Sequence, residues 1–170
     1  SLSIFITPFK SRNRILVNEF EQDTIINGAN VNKSMFSIYP SVSLPANLIN
    51  TNAVSAENIE AKVIVTLPEG INYIYNESYN LPSVSSDGRT LTYNIENVVV
   101  NEWIEPIVFE GSYDIDIESG SELIIESEIQ MTAKNLSGTT DDKTDISSKE
   151  LRTASRKIIY QNDEEIAYLQ

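Results

Sequence analysis

Residues 122–133 alternate between apolar and polar with a period of two. Leu123, Ile125, Ile129 and Met131 share one parity, and Glu122, Glu126, Glu128 and Gln130 share the other. Successive side chains of an extended strand point to opposite faces, so the pattern predicts a strand with one face buried and one in water. Residues 106–117 repeat it, with Ile107, Phe109, Tyr113, Ile115 and Ile117 inward and Glu110, Ser112, Asp114 and Asp116 outward. Residues 89–96 set Leu91, Tyr93 and Ile95 against Thr90, Thr92 and Asn94, and Ile59, Ala61, Val63, Val65 and Leu67 make a fourth inward row. Shorter apolar runs predict further strands at 2–6, 14–20, 35–44, 71–75, 156–160 and 165–169.

Turn chemistry separates these runs. Pro68-Glu69-Gly70, Ser86-Asp87-Gly88 and Glu118-Ser119-Gly120 each carry a glycine that tolerates positive φ. Many short strands divided by turns predict an all-β fold, an immunoglobulin-like antiparallel β-sandwich with extra terminal strands. No stretch keeps a 3.6-residue period for long; residues 148–157 are the best helical candidate and fit an extended segment equally well. The polar stretch 135–149 reads as a long loop or short linker. The organisation expected is a sandwich body over 31–135. Residues 1–30 then supply N-terminal strands that pack on the body or remain from a preceding module, and 136–170 supply a polar loop and C-terminal strands.

Composition narrows the chemistry. The 170 residues contain no histidine and no cysteine. A Ser–His–Asp or Cys–His hydrolase, a thiol redox site and a nitrogen- or sulfur-ligated zinc or iron centre are therefore excluded. Twelve basic against twenty-five acidic residues give a net charge of −13, which repels phosphate backbones and argues against nucleic acid as a partner. Hydrophobic residues at 41% support a folded core, and no apolar run approaches the roughly 18 residues of a membrane span. The sequence opens on Ser1 without a basic, apolar leader, and reads as a segment of a longer protein.

The run from Asn50 to Tyr75, NTNAVSAENIEAKVIVTLPEGINYIY, goes on to SSDGRTLTYNIENV and EPIVFEGSYDI. Polar turn, strand, a leucine-proline-glycine turn at Leu67, Pro68 and Gly70, aromatic strand, glycine turn and a strand carrying Tyr93 follow in order. Over residues 35–133 this resembles the conserved repeat domain of unknown function (the eleventh such family) of prokaryotic cell-surface proteins. The sequence departs from that pattern at Thr66, where the family often has aspartate. The resemblance implies an immunoglobulin-like sandwich without catalysis, used as a structural or adhesive module on the bacterial surface, with neighbouring domains of the same chain as partners. Abundant Asn and Ile with scarce Ala and Gly fit a low-GC, Gram-positive source.

Four features are candidates for chemistry. If Gly120 turns a hairpin, Asp114 faces Glu126 on the outer face, with Asp116 and Glu128 close by. Like charges opposite one another destabilise a strand pair, so Asp114, Asp116, Glu126 and Glu128 form a candidate calcium site; solvation of the same face is the alternative. The acidic run 139–145 is a looser version without EF-hand spacing. An intramolecular Lys–Asn isopeptide bond requires a buried amine, an amide and a protonated acid. Lys10 or Lys33 with Asn135 have the order for it, while Lys62 and Glu110 fall on the polar parity. Trp103, with Tyr39, Tyr73, Tyr75 and Tyr79, serves either core packing or stacking on a glycan or a matrix-protein partner. The Leu-Pro dipeptides at Leu44, Leu67 and Leu81 do not continue into a sortase signal.

Overall fold

A computed structural model describes residues 10–43, 59–95, 104–133 and 148–162. The strands are β1 (Lys10–Val17), β2 (Thr24–Asn27), β3 (Lys33–Ser43), β4 (Ile59–Thr66), β5 (Ile71–Ile74), β6 (Ser83–Val84), β7 (Thr90–Ile95), β8 (Ile107–Tyr113), β9 (Ser121–Ala133) and β10 (Ser148–Gln161). Among the described residues there is no helix; the helical candidate at 148–157 is the extended β10. Thirteen paired positions along β9 hold it in that form.

A four-stranded sheet in the order β1-β3-β8-β5 faces a six-stranded sheet in the order β2-β10-β9-β4-β7-β6 across one core, an all-β sandwich. The rows read from periodicity supply that core. Val63, Val65, Leu67, Leu91, Tyr93, Leu123, Ile125 and Ile129 come from the larger sheet; Ile107, Phe109 and Tyr113 come from the smaller. Phe36 and Phe109 are cross-strand partners, stacked with centroids 5.2 Å apart. The core also takes Ile15, Val17 and Ile26 from β1 and β2, and Ile158 and Tyr160 from β10. The described terminal segments are thus woven into both sheets. One pairing is parallel, β2 with β10. Two segments so distant in sequence need no tight hairpin, so parallel pairing is open to them.

Two expectations at the end of β8 fail. Ile115, placed on the inward row, is 91% exposed, because β8 stops at Tyr113 and the chain turns there. Nor does Gly120 turn a β8–β9 hairpin. β8 pairs with β3 and β5, whereas β9 pairs with β10 and β4, so the connection 114–120 crosses between sheets. Both strands have an apolar face, and placing them on opposite sheets lets the two faces meet across the roughly 10 Å inter-sheet gap. Gly70, Gly88 and Gly120 all adopt the positive φ expected of them, at 104°, 73° and 91°.

The turns 18–23, 28–32, 68–70, 86–88 and 114–120 gather at one end of the sandwich, the turn pole. β1 begins at the opposite pole, where Lys10 pairs with Ser43 at the end of β3. β10 finishes at the turn pole, where Tyr160 pairs with Ser121 at the start of β9. Within the described residues the chain therefore runs in at one pole and out at the other.

Candidate functional site

The four carboxylates proposed for calcium are separated by the sheet crossing. Asp114 sits at the end of β8 and accepts a hydrogen bond from Asn72 Nδ2 at 2.5 Å. Asp116 is exposed on the following turn. Glu126 and Glu128 project from the outer face of β9 in the other sheet, and Gln130 Nε2 donates to Glu128 Oε1 at 3.1 Å. Among the described residues no three side chains of metal-ligating type converge. Residues 139–145, Asn135 and Trp103 lie outside the described residues.

Glu126 and Glu128 instead line a shallow groove of about 420 Å3 on the outer face of the larger sheet. Strand register builds it: Thr66 and Ser155 flank Glu126, and Ile64 and Thr153 flank Glu128. The groove offers hydroxyls and carboxylates, with Ile64 as its apolar wall. A second cleft of about 220 Å3 lies beside β7 and the start of β8, lined by Leu81, Tyr93, Ile95 and Ile107. The buried Tyr93 hydroxyl has no hydrogen-bond partner among the described residues, and burial pushes its pKa up.

Among the described residues, Lys33, Glu110 and Asn76 bring together the residue types an isopeptide bond uses, though with an asparagine that sequence order did not suggest. On the outer face of the smaller sheet, Lys33 Nζ lies 3.3 Å from Glu110 Oε2, and Asn76 Nδ2 donates to Glu110 Oε1 at 3.0 Å. The environment is wrong for amide transfer. The Lys33 side chain is 60% exposed. The Asn76 hydrogen bond and then Lys33 hold the Glu110 carboxyl below its ordinary value, so it is ionised rather than protonated. The trio is a surface ion pair with an amide brace. Lys62 faces solvent, as its parity predicted.

The aromatics divide. Tyr73 is half-buried with its ring 6.4 Å from Phe109, and Tyr39 lies beneath the Arg14 guanidinium at 5.5 Å. Tyr79 is half-buried, and Tyr75, at 68% exposed, alone of the four offers an open ring.

Sequence reasoning missed a set of contacts that join the two sheets at their flanks. Arg156 of β10 reaches over the core edge and donates from Nε to the Ile15 carbonyl of β1 at 3.2 Å. Asn13 of β1 donates from Nδ2 to Ser127 Oγ of β9 at 2.8 Å. At the other flank, Arg89 donates to the carbonyls of Pro68 at 2.7 Å and Ile71 at 3.1 Å, the latter on edge strand β5. One signal was present in the sequence: Ser127 interrupts the apolar row between Ile125 and Ile129, yet is only 2% exposed. A buried hydroxyl needs a partner, and Asn13 supplies it.

No protein-family model matches the sequence, and no protein of curated function matches it. Among solved structures, a variant of BcpA, the major pilin subunit of Bacillus cereus, superimposes with a TM-score of 0.56 at 13% identity, covering 89% of this chain and 40% of that one. A second BcpA structure gives a TM-score of 0.50 at 12% identity over the same shares. The chain thus spans less than half the length of the pilin it matches. At such identity the likeness concerns architecture alone: this chain is an all-β, immunoglobulin-like sandwich of the kind found in that pilin.

Proposed function

We propose that this chain is a non-catalytic structural module of a bacterial cell-surface protein, one unit of a stalk or fibre held between neighbouring domains outside the cell. The observation that carries this reading is the sandwich itself, matching a pilin subunit over 89% of the chain. Its polar layout is consistent with the role, since the described residues begin at one pole and finish at the other, an arrangement suited to a unit in a series. Absence of cysteine means that no disulfide contributes to holding it together. A charge of −13 keeps it soluble at high local density. The repeat-like pattern over 35–133 points the same way, its Leu67, Pro68 and Gly70 forming the β4–β5 crossover.

Antibody raised to the folded chain, applied to intact cells of the source organism, tests the reading. Labelling that is lost on protease shaving is the expected result; signal confined to the lysate would overturn it. Recognition of a glycan or matrix protein has less support, with Tyr75 alone open among the described aromatics proposed for stacking.

A further inference from the structure

β1 and β10 are the first and last described strands, so their geometry decides how the sandwich would resist tension applied through the chain. Both run from the opposite pole to the turn pole, β1 on the edge of the smaller sheet and β10 inside the larger. Tension on the chain pulls β1 back towards the opposite pole and β10 out past the turn pole. The two strands are then drawn along their own axes in opposite directions. Cross-strand hydrogen bonds lie perpendicular to such a pull, so the whole ladder is loaded together, as shear, and does not open bond by bond.

β1 also lies against β10 and β9 across the core, where their inward side chains are Ala154 and Ser127, cross-strand partners small enough to admit it. At that crossing Asn13 bonds to Ser127, and two residues further along β1 the Ile15 carbonyl takes the Arg156 guanidinium. Arg156 is held in turn by Asp23, 3.9 Å away. These bonds span the two sheets and tie the strand that receives the load to the strands that pass it on. We propose that β1 and β10, riveted through Asn13–Ser127 and Arg156–Ile15, form a mechanical clamp that makes the sandwich resistant to tension through its ends and weak to tension across its turn pole. The clamp is a property of this fold, and it rests on the surface-module reading only for its biological purpose.

Single-molecule force spectroscopy tests it in two geometries. One pulls the chain through its ends. The other pulls through handles at Glu19→Cys and Asn162→Cys, both at the turn pole, in a sequence without native cysteine. End pulling is expected to need the higher rupture force. Arg156→Gln and, separately, Ser127→Ala are expected to raise the unfolding rate at fixed end-to-end force, roughly tenfold for the charged bond, and to leave cross-pole rupture unchanged. Ser127→Ala guards against a misfolded Arg156 variant, since it removes only a hydroxyl. Equal rupture forces in the two geometries, or variants that weaken both alike, would overturn the clamp. Neither result bears on surface labelling, and failure of the labelling leaves the two rupture forces as they are.

Discussion

Gly111 lies within β8 against the Phe36 ring, the branched Ile71 side chain and the Asn72 carbonyl. A Cβ there would sit 2.9 Å from Phe36 Cε2 and 3.0 Å from Ile71 Cγ2. Both neighbours are fully buried, and Phe36 is stacked on Phe109, so neither has room to yield. Gly111→Ala is expected to cost about 1–3 kcal/mol of stability, measured as a lower urea midpoint at unchanged slope. Tyr113, two residues on, gives the fold an alkaline limit. Burial outweighs its hydrogen bond to Ser34 Oγ and pushes its pKa up to about 12. The unfolded chain ionises near 10, so this contribution is complete below that pH and is lost as pH rises from 10 towards 12. Tyr113→Phe is expected to flatten the fall in melting temperature over that window. Glu110 acts in the opposite sense. Its carboxyl is held below the ordinary value, so its contribution is present above the unfolded pKa and fades as pH falls through the folded one. Glu110→Gln should therefore make stability less sensitive to acid, read from urea midpoints across the carboxylate range.

At the scale of elements, the four-stranded sheet has two edges, β1 and β5, and an arginine from the opposite sheet meets a carbonyl on each: Arg156 at Ile15 and Arg89 at Ile71. Exposed strand edges are templates for pairing with other chains, and a guanidinium donated to an edge carbonyl blocks the register a newcomer needs. Replacing both by glutamine is expected to produce concentration-dependent association by strand addition, seen in size-exclusion chromatography with light scattering, while either single change gives less. A double variant that stays monomeric would show that the short length of β5 protects its edge without help.

The strands were legible because burial on one face imposes a period of two. β4, β7 and β9 stand where their apolar rows put them. β2 and β6 were missed: β2 spans four residues and β6 only two, too few to display a period. The four carboxylates of the candidate calcium group were not brought together, for another reason. It depended on which strands pair, and alternation is identical for a strand paired within its own sheet and one facing the other. The Lys33–Glu110–Asn76 trio and the cross-sheet bonds were illegible for the same reason, since their members meet only after β3, β8 and β5 align and the two sheets close.

Across the whole molecule, charge dominates behaviour in solution. With a sequence pI near 4.3, solubility is expected to pass through a minimum close to that pH, measurable by turbidity, because self-repulsion vanishes there. The sequence by itself determined an all-β chain, the inward rows of β4, β7 and β9, the glycine turns, and the exclusion of histidine and cysteine chemistry. Each of these follows from local properties, namely alternation, backbone freedom and residue type. The tertiary structure alone decided that β8 and β9 belong to opposite sheets, that β2 joins β10 in parallel, that arginines cap two edges, and that the described residues begin at one pole and finish at the other. Those outcomes depend on which buried faces meet across the core, a choice made between segments far apart in sequence and recorded in neither one alone.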